Sequence, residues 1–279
     1  MRTTRRRTRF LAAPLPVAAA AVALLALAAC SSGSSTAPVT AGPTSAGAPS
    51  LTIGISFDQP GLGLKSGNTY SGFDVLTAVY IAKTMGVPAS NITWVEADPA
   101  DREKLLADGK VNLVLSTYSM TPEREALVDF AGPYFVAHQD LLVRRQDTVT
   151  GPDTLDGRNL CSVPNTTSAK LVTEKYAGKI TLTPYPTFSQ CVQALVAGNV
   201  DAVTTDDVIL AGYAALPQYK GLLKVVGKGF SDERYGVGIK NNDPAMVAKV
   251  NAALKAYIDD GSWKSNLEAT VGASGYGIP

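Results

Sequence analysis

Three short stretches of this 279-residue chain carry polar side chains where a binding site could use them. Ser116-Thr-Tyr-Ser-Met-Thr-Pro-Glu-Arg124 runs from a cluster of hydroxyls into Thr121-Pro122, an N-cap residue followed by proline at the first helical position. Arg124 then lies one turn in, near the carboxyl end of an apolar strand. A guanidinium there can grip a carboxylate through two parallel hydrogen bonds, with Ser119 and backbone N–H groups completing the contact. It can equally pair with a neighbouring acid on a solvated helix. Val200-Asp-Ala-Val-Thr-Thr-Asp206 offers the complement, an acid at a strand's end that can receive an ammonium group or cap the helix that follows. Val163-Pro-Asn-Thr-Thr-Ser168 joins a strand to a helix N-terminus, whose free N–H groups favour an anion.

Other chemistry is missing from the sequence. It contains no G-x-S-x-G elbow, no H-E-x-x-H and no phosphate-binding P-loop. Gly61-Leu-Gly63 lacks the third glycine of a dinucleotide fingerprint. A Ser-His-Asp triad would have to use His138, the only histidine, which precedes the apolar Leu141-Leu-Val143 as a partly buried strand residue would. One histidine and no Cys-x-x-Cys pair argue against a His/Cys metal site, so no cofactor is expected.

The elements that must position these stretches begin only after about fifty residues. Arg2, Arg5, Arg6, Arg7 and Arg9 form a basic region, followed by an uncharged Ala/Leu-rich run over 11–29 and then Leu27-Ala-Ala-Cys30. This is a secretory signal peptide, 1–29, of the kind whose cysteine is lipidated in bacterial lipoproteins. Pro14 and Pro16 shorten the unbroken apolar run below the ~20 residues that a membrane span needs. Residues 31–50 are Ser, Gly, Thr, Ala and Pro apart from Val39 and Leu51 opens the first strand, so 30–50 reads as a lipidated cysteine and a flexible tether. The tether would span on the order of 25 Å.

Charge follows the same division. Lys and Arg number 25 and Asp and Glu 24, but five of the arginines lie in the signal segment. A body with a slight acidic excess argues against nucleic acid as a partner. Of three cysteines, Cys30 goes to the lipid, leaving Cys161 and Cys191 outside the cytoplasm, where an even pair reads as a disulfide rather than two buried thiols. The chain-entropy model assigns such a 30-residue loop about 3.5 kcal/mol.

Apolar periodicity predicts strands over 51–55, 92–96 and 111–118 with helices over 74–85 and 99–107 between them. The pattern recurs: strands over 160–163, 180–183 and 200–204, and helices over 167–176, 188–196 and 207–216. Two further helices, 244–258 and 263–269, end the chain. Two βαβ units of similar size predict a two-lobed α/β protein that binds its ligand in the cleft, outside the carboxyl ends of the strands.

These residues carry a resemblance. Phe57-Asp-Gln-Pro-Gly-Leu-Gly-Leu64, Ser71-Gly-Phe-Asp74, Thr121-Pro-Glu-Arg124, Phe130-Ala-Gly-Pro-Tyr134, His138-Gln-Asp-Leu-Leu-Val-Arg144, Leu160-Cys-Ser-Val163, Cys191-Val-Gln-Ala-Leu195 and Asp201-Ala-Val-Thr-Thr-Asp206 resemble the family 3 solute-binding proteins of polar amino-acid ABC transporters. Among these the chain is most similar to the actinobacterial glutamate-binding lipoproteins. The resemblance implies a type II periplasmic-binding (Venus-flytrap) fold, two α/β lobes joined by two crossing strands. Lobe 1 would hold 51–133 plus 236–279, lobe 2 would hold 139–230, and the hinge strands would be 134–138 and 231–235.

The resemblance also implies roles. Arg124 would bind the ligand's α-carboxylate and Asp206 its α-ammonium, with Thr117 and Ser119 adding hydrogen bonds from the strand end. Thr166 and Thr167 would close from the second lobe. Arg102 would reach a side-chain carboxylate, and the paired cysteines match positions in those relatives. Charge balance in a closing cleft, apart from the resemblance, adds Lys65 in the loop after the first strand as a more remote candidate cation. The chain departs from the family where Asn165-Thr-Thr167 replaces Gly-Ser-Thr; asparagine tolerates the left-handed backbone that glycine supplies.

The expectation is therefore a binding protein without catalysis, anchored by lipid on the extracytoplasmic face of the cell membrane. It would act as a monomer, taking glutamate or a close polar amino acid to an ABC permease. The alternatives are a secreted cyclohexadienyl-dehydratase-like enzyme on the same fold, and an amino-acid sensor feeding a kinase.

Overall fold

The structure, a computed structural model, describes residue 47 and residues 49–278. The signal peptide expected over 1–29, the lipidation site expected at Cys30 and most of the expected tether lie outside the described residues. The described residues form one compact unit.

Strand β1 (Leu51–Ile55) is followed by three short strands, β2 (Asp58–Gln59), β3 (Gly63–Ser66) and β4 (Thr69–Ser71), which form a small antiparallel sheet. Helix α1 (Phe73–Thr84), β5 (Ile92–Glu96), α2 (Arg102–Ala107), β6 (Leu113–Val114) and the single-turn α3 (Pro122–Glu125) come next. Then β7 (Val128–Ala137) leads through His138 into β8 (Gln139–Arg144). The chain continues as β9 (Asn159–Ser162), α4 (Thr167–Lys175), β10 (Thr181–Pro184), α5 (Phe188–Ala197), β11 (Ala202–Asp206), α6 (Asp207–Ala214) and β12 (Leu223–Val225). It ends with β13 (Glu233–Lys240), α7 (Pro244–Asp259) and α8 (Ser262–Thr270).

These strands make two five-stranded sheets. One has the order β5-β1-β6-β13-β7 and the other β10-β9-β11-β8-β12. In each, three parallel strands are followed by antiparallel ones, so the two halves repeat one design. β7 and β13 pair from Val128↔Lys240 to Ala137↔Glu233, and beyond that end both chains pass to the second sheet.

Local chemistry accounts for the boundaries. Thr166, Thr187 and Asp243 each accept a backbone N–H from the first turn of α4, α5 and α7. Thr121 caps α3 with Pro122 behind it, as the sequence predicts. Gly198 closes α5 in the left-handed conformation. The expected strand over 111–118 is hydrogen-bonded as a strand only at Leu113–Val114. It ends early because Thr117 turns to φ 44°, which no strand can continue. The helix expected from 99 starts at Arg102, after a turn in which Asp101 N–H bonds the Asp98 carbonyl.

Cys161 on β9 and Cys191 on α5 are bonded, with Cα atoms 5.6 Å apart and both residues fully buried. The bond ties a strand to the helix covering it. A Cys161→Ser/Cys191→Ser double variant is expected to lose about 2–4 kcal/mol of unfolding free energy, read as a lower urea midpoint, with a slope equal to or steeper than the parent's because the unfolded chain is no longer cross-linked. An unchanged midpoint would remove the bond from the list of stabilising features.

Candidate functional site

A cavity lies between the carboxyl ends of the two sheets. From the first sheet it takes Arg102, Thr117, Ser119 and Arg124; from the second it takes Thr166, Thr167 and Asp206. Seven of the eight ligand residues expected from sequence are thus brought together. Lys65 does not line the cavity: it is exposed, with its ammonium 4.7 Å from the centre of the Phe57 ring and 5.8 Å from that of Tyr70.

The turn after β6 is held by a buried acid. The Asp74 carboxylate, in the first turn of α1 and fully buried, accepts the Thr117 N–H at 3.0 Å and the Tyr134 hydroxyl at 2.7 Å. This fixes Thr117 in its left-handed conformation and aims the strand end at the cavity. Burial pushes the Asp74 carboxyl up to about 7. The Thr117 hydroxyl is engaged by the side-chain amide of Gln59 at 3.0 Å and donates to the Ser116 carbonyl.

Two guanidinium groups face this turn. Arg124 donates to the Ser119 carbonyl at 2.8 Å and to the Asn165 carbonyl across the cavity at 3.3 Å, with Glu103 3.6 Å from its Nε. Asn165 does take the left-handed backbone, φ 63°. Arg102 differs from the solvated helix residue that its position in an amphipathic segment suggests. It is 3% exposed, its Nη1 donates to the Ser116 carbonyl at 3.0 Å, and its guanidinium lies 4.4 Å from the centre of the Tyr118 ring. Its Nε has no hydrogen-bond partner, and among the described residues it forms no ion pair within 4 Å. Burial first, then the nearby Arg124, lowers its pKa to about 10, still well above neutrality.

On the opposite wall Asp206 is the residue before α6, yet its side chain makes no capping bond. One carboxylate oxygen accepts the Tyr235 hydroxyl at 2.5 Å; the other, Oδ1, is buried without a partner. Burial, and then the neighbouring Glu233, push its carboxyl up to about 8. Thr166 spends its hydroxyl on the α4 cap, and Thr167 donates to Glu233 at 3.0 Å. What this wall offers a ligand is therefore the N–H groups of Thr167 and Ser168, which have no intrahelical acceptor, and the Ser168 hydroxyl, buried with no partner.

Asp74, Ser168, Glu103 and Tyr235 were not singled out as site residues in the sequence. Asp74 stands between Phe73 and Val75, two core positions at the start of a helix, and a carboxylate in such a place signals a buried acid with fixed partners. His138 is half exposed, 3.5 Å from both Asp207 and Asp232, and has no serine in its hydrogen-bond set, so no triad forms around it.

The arrangement can hold a small molecule with two anionic ends and one cationic end. Comparison with known proteins agrees in class. The chain is 42% identical over 234 residues to the glutamate-binding protein GluB of Corynebacterium efficiens, covering 80% of this chain and 79% of the relative. It is 31% identical over 216 residues to the ABC transporter glutamine-binding protein GlnH of Bacillus subtilis, covering 76% and 78%. Among solved structures, an ancestral arginine-binding protein bound to glutamine superimposes with a TM-score of 0.72 at 30% identity, covering 79% of this chain and 97% of that one. The two-sheet α/β architecture is that of the type II periplasmic amino-acid-binding proteins. The family model matches residues 51–271, and the chain belongs to the bacterial extracellular solute-binding proteins, family 3.

Proposed function

We propose that this protein is a lipid-anchored, extracytoplasmic receptor that binds glutamate between its two lobes and hands it to an ABC permease. The observation that carries the reading is Arg102, a buried guanidinium without a carboxylate partner in the same cavity as Arg124 and the unpaired oxygen of Asp206. Arg124 and Asp206 balance the two charges of an α-amino acid. Arg102, a second and uncompensated cation, leaves a site complementary to a ligand with one more negative charge, because a buried unpaired charge costs several kcal/mol. Glutamate and aspartate meet that condition, while glutamine and asparagine do not. The name of the Corynebacterium relative supports the longer acid, and the relatives' names as binding proteins support a role without catalysis.

In this reading residues 51–133 plus 236–279 and residues 139–230 move about the segments 134–138 and 231–235. Ligand favours closure because only the closed form engages Arg124 and Asp206 together. Cys30 carries the lipid. Calorimetric titration of the chain lacking residues 1–30 with glutamate, aspartate, glutamine and asparagine tests the ligand. Glutamate is expected to bind at least tenfold tighter than glutamine. Equal affinity for the two, or binding of glutamine alone, would overturn the reading.

A further inference from the structure

Asp58 lines the cavity, but protein groups from the other side already hold its carboxylate. Its Oδ2 accepts the backbone N–H of Ser189, in the first turn of α5, at 2.9 Å and the hydroxyl of Tyr213, in α6, at 2.9 Å; the same hydroxyl also donates to the Asp58 carbonyl. Asp58 belongs to β2, in the small sheet that packs on α1, whereas α5 and α6 cover the second five-stranded sheet. A carboxylate at a helix N-terminus is favourable, and bonds to a charged acceptor are the strong ones. Tyr213 is 2% exposed while Asp58 and Ser189 are partly buried, so this contact is partly shielded from water. By contrast the ion pair Lys170–Glu123, one of the other contacts between the halves, joins side chains 51% and 65% exposed and counts for little.

The neighbouring residue shows how closely the surfaces meet. Gly212, inside α6, lies against Pro60, and a Cβ at that position would collide with the Pro60 carbonyl oxygen. Neither contact uses Arg102, Arg124 or Asp206.

We propose that residues 58–60 and the α5–α6 face form a ligand-independent catch that sets how much of the protein is closed before any amino acid binds. The inference rests on the lobe-closure reading above. When only a fraction of the molecules is competent, the apparent dissociation constant is the intrinsic one divided by that fraction. The catch therefore scales the affinity for every ligand alike and leaves selectivity to the cavity.

Two variants test it from independent sides. Tyr213→Phe removes the hydroxyl and keeps the ring. Gly212→Ala adds one methyl group that meets Pro60 only when the surfaces are together, and alanine is otherwise the better helix former. Affinities for glutamate and glutamine are measured by calorimetry, and the radius of gyration without amino acid by small-angle scattering. The catch predicts that in each variant both affinities fall by one common factor, on the order of tenfold to a hundredfold. It also predicts a larger radius of gyration without amino acid, and no drop in melting temperature for Gly212→Ala. An unchanged radius with both affinities within twofold of the parent would overturn it, as would a loss confined to glutamate, which would mean that this region acts on the ligand's charge. If the parent protein bound neither amino acid, the glutamate reading alone would fall, because the scattering comparison stands without ligand.

Discussion

Replacing Arg102 by alanine is expected to weaken glutamate by about 2–5 kcal/mol, roughly thirtyfold to a few thousandfold, the range for stranding one charge of a buried pair. Glutamine is expected to lose far less. The reasoning is a balance of charges in a closing, drying cleft. With Arg124 and Asp206 matched to the ligand's α-groups, the side-chain carboxylate has Arg102 as its one buried, unpaired cation among the described residues. Lys65, the other candidate from sequence, lies over Phe57 outside the cavity. Arginine also offers planar two-point recognition and gives up its hydration more readily than lysine. Arg102→Lys keeps the charge and loses the fork, so it should recover only part of the affinity. Calorimetry on both ligands decides the matter. Equal losses would assign Arg102 to the packing of Tyr118, whose ring it covers, and no loss would remove it from the site.

What the sequence made legible, and what it hid, divides along the distance over which a residue's environment is decided. The βαβ pattern, the cap at Thr121 and the disulfide depend on near neighbours or on counting, and they could be read. The burial of Arg102 could not. Its helix is six residues long, and its surroundings come from Ser116, Tyr118 and Arg124 elsewhere in the chain. Asp206 posed a choice between capping α6 and facing a ligand, and no local rule decides it. Tyr235, from a strand 29 residues on, takes one oxygen and leaves the other buried without a partner on a residue that lines the cavity. Likewise the three-stranded sheet over 58–71 has strands of two to four residues in a polar loop, too short for alternation to show. Its role, holding Asp58 where α5 and α6 reach it, exists only between distant parts of the fold.

Affinity for the amino acid is expected to rise with pH up to about 8, and Asp206 is the cause. Burial beside Glu233 favours its protonated form, whereas an α-ammonium needs the carboxylate. Below about 8 the ligand must displace a proton, so the logarithm of the affinity should climb by up to one unit per pH unit before levelling off. Calorimetry near pH 7 in buffers of different ionisation enthalpy should detect release of up to one proton per ligand bound. Folding stability without ligand should run the other way. Asp206 and Asp74 hold protons in the folded protein at pH values where the unfolded chain, with ordinary carboxyls, has released them. As far as these two groups are concerned, stability is greatest below about pH 4, where both states are protonated, and falls as pH rises from there toward 7–8. Asp206→Asn should bind glutamate at least a hundredfold more weakly at pH 8, since the asparagine carries no charge to meet the ammonium. It should also lose the pH slope of affinity and flatten part of the stability curve. A parent protein whose affinity is level from pH 6 to 8, with no proton released, would show that Asp206 is already ionised when ligand arrives and that the partner of the ammonium charge is set by another group.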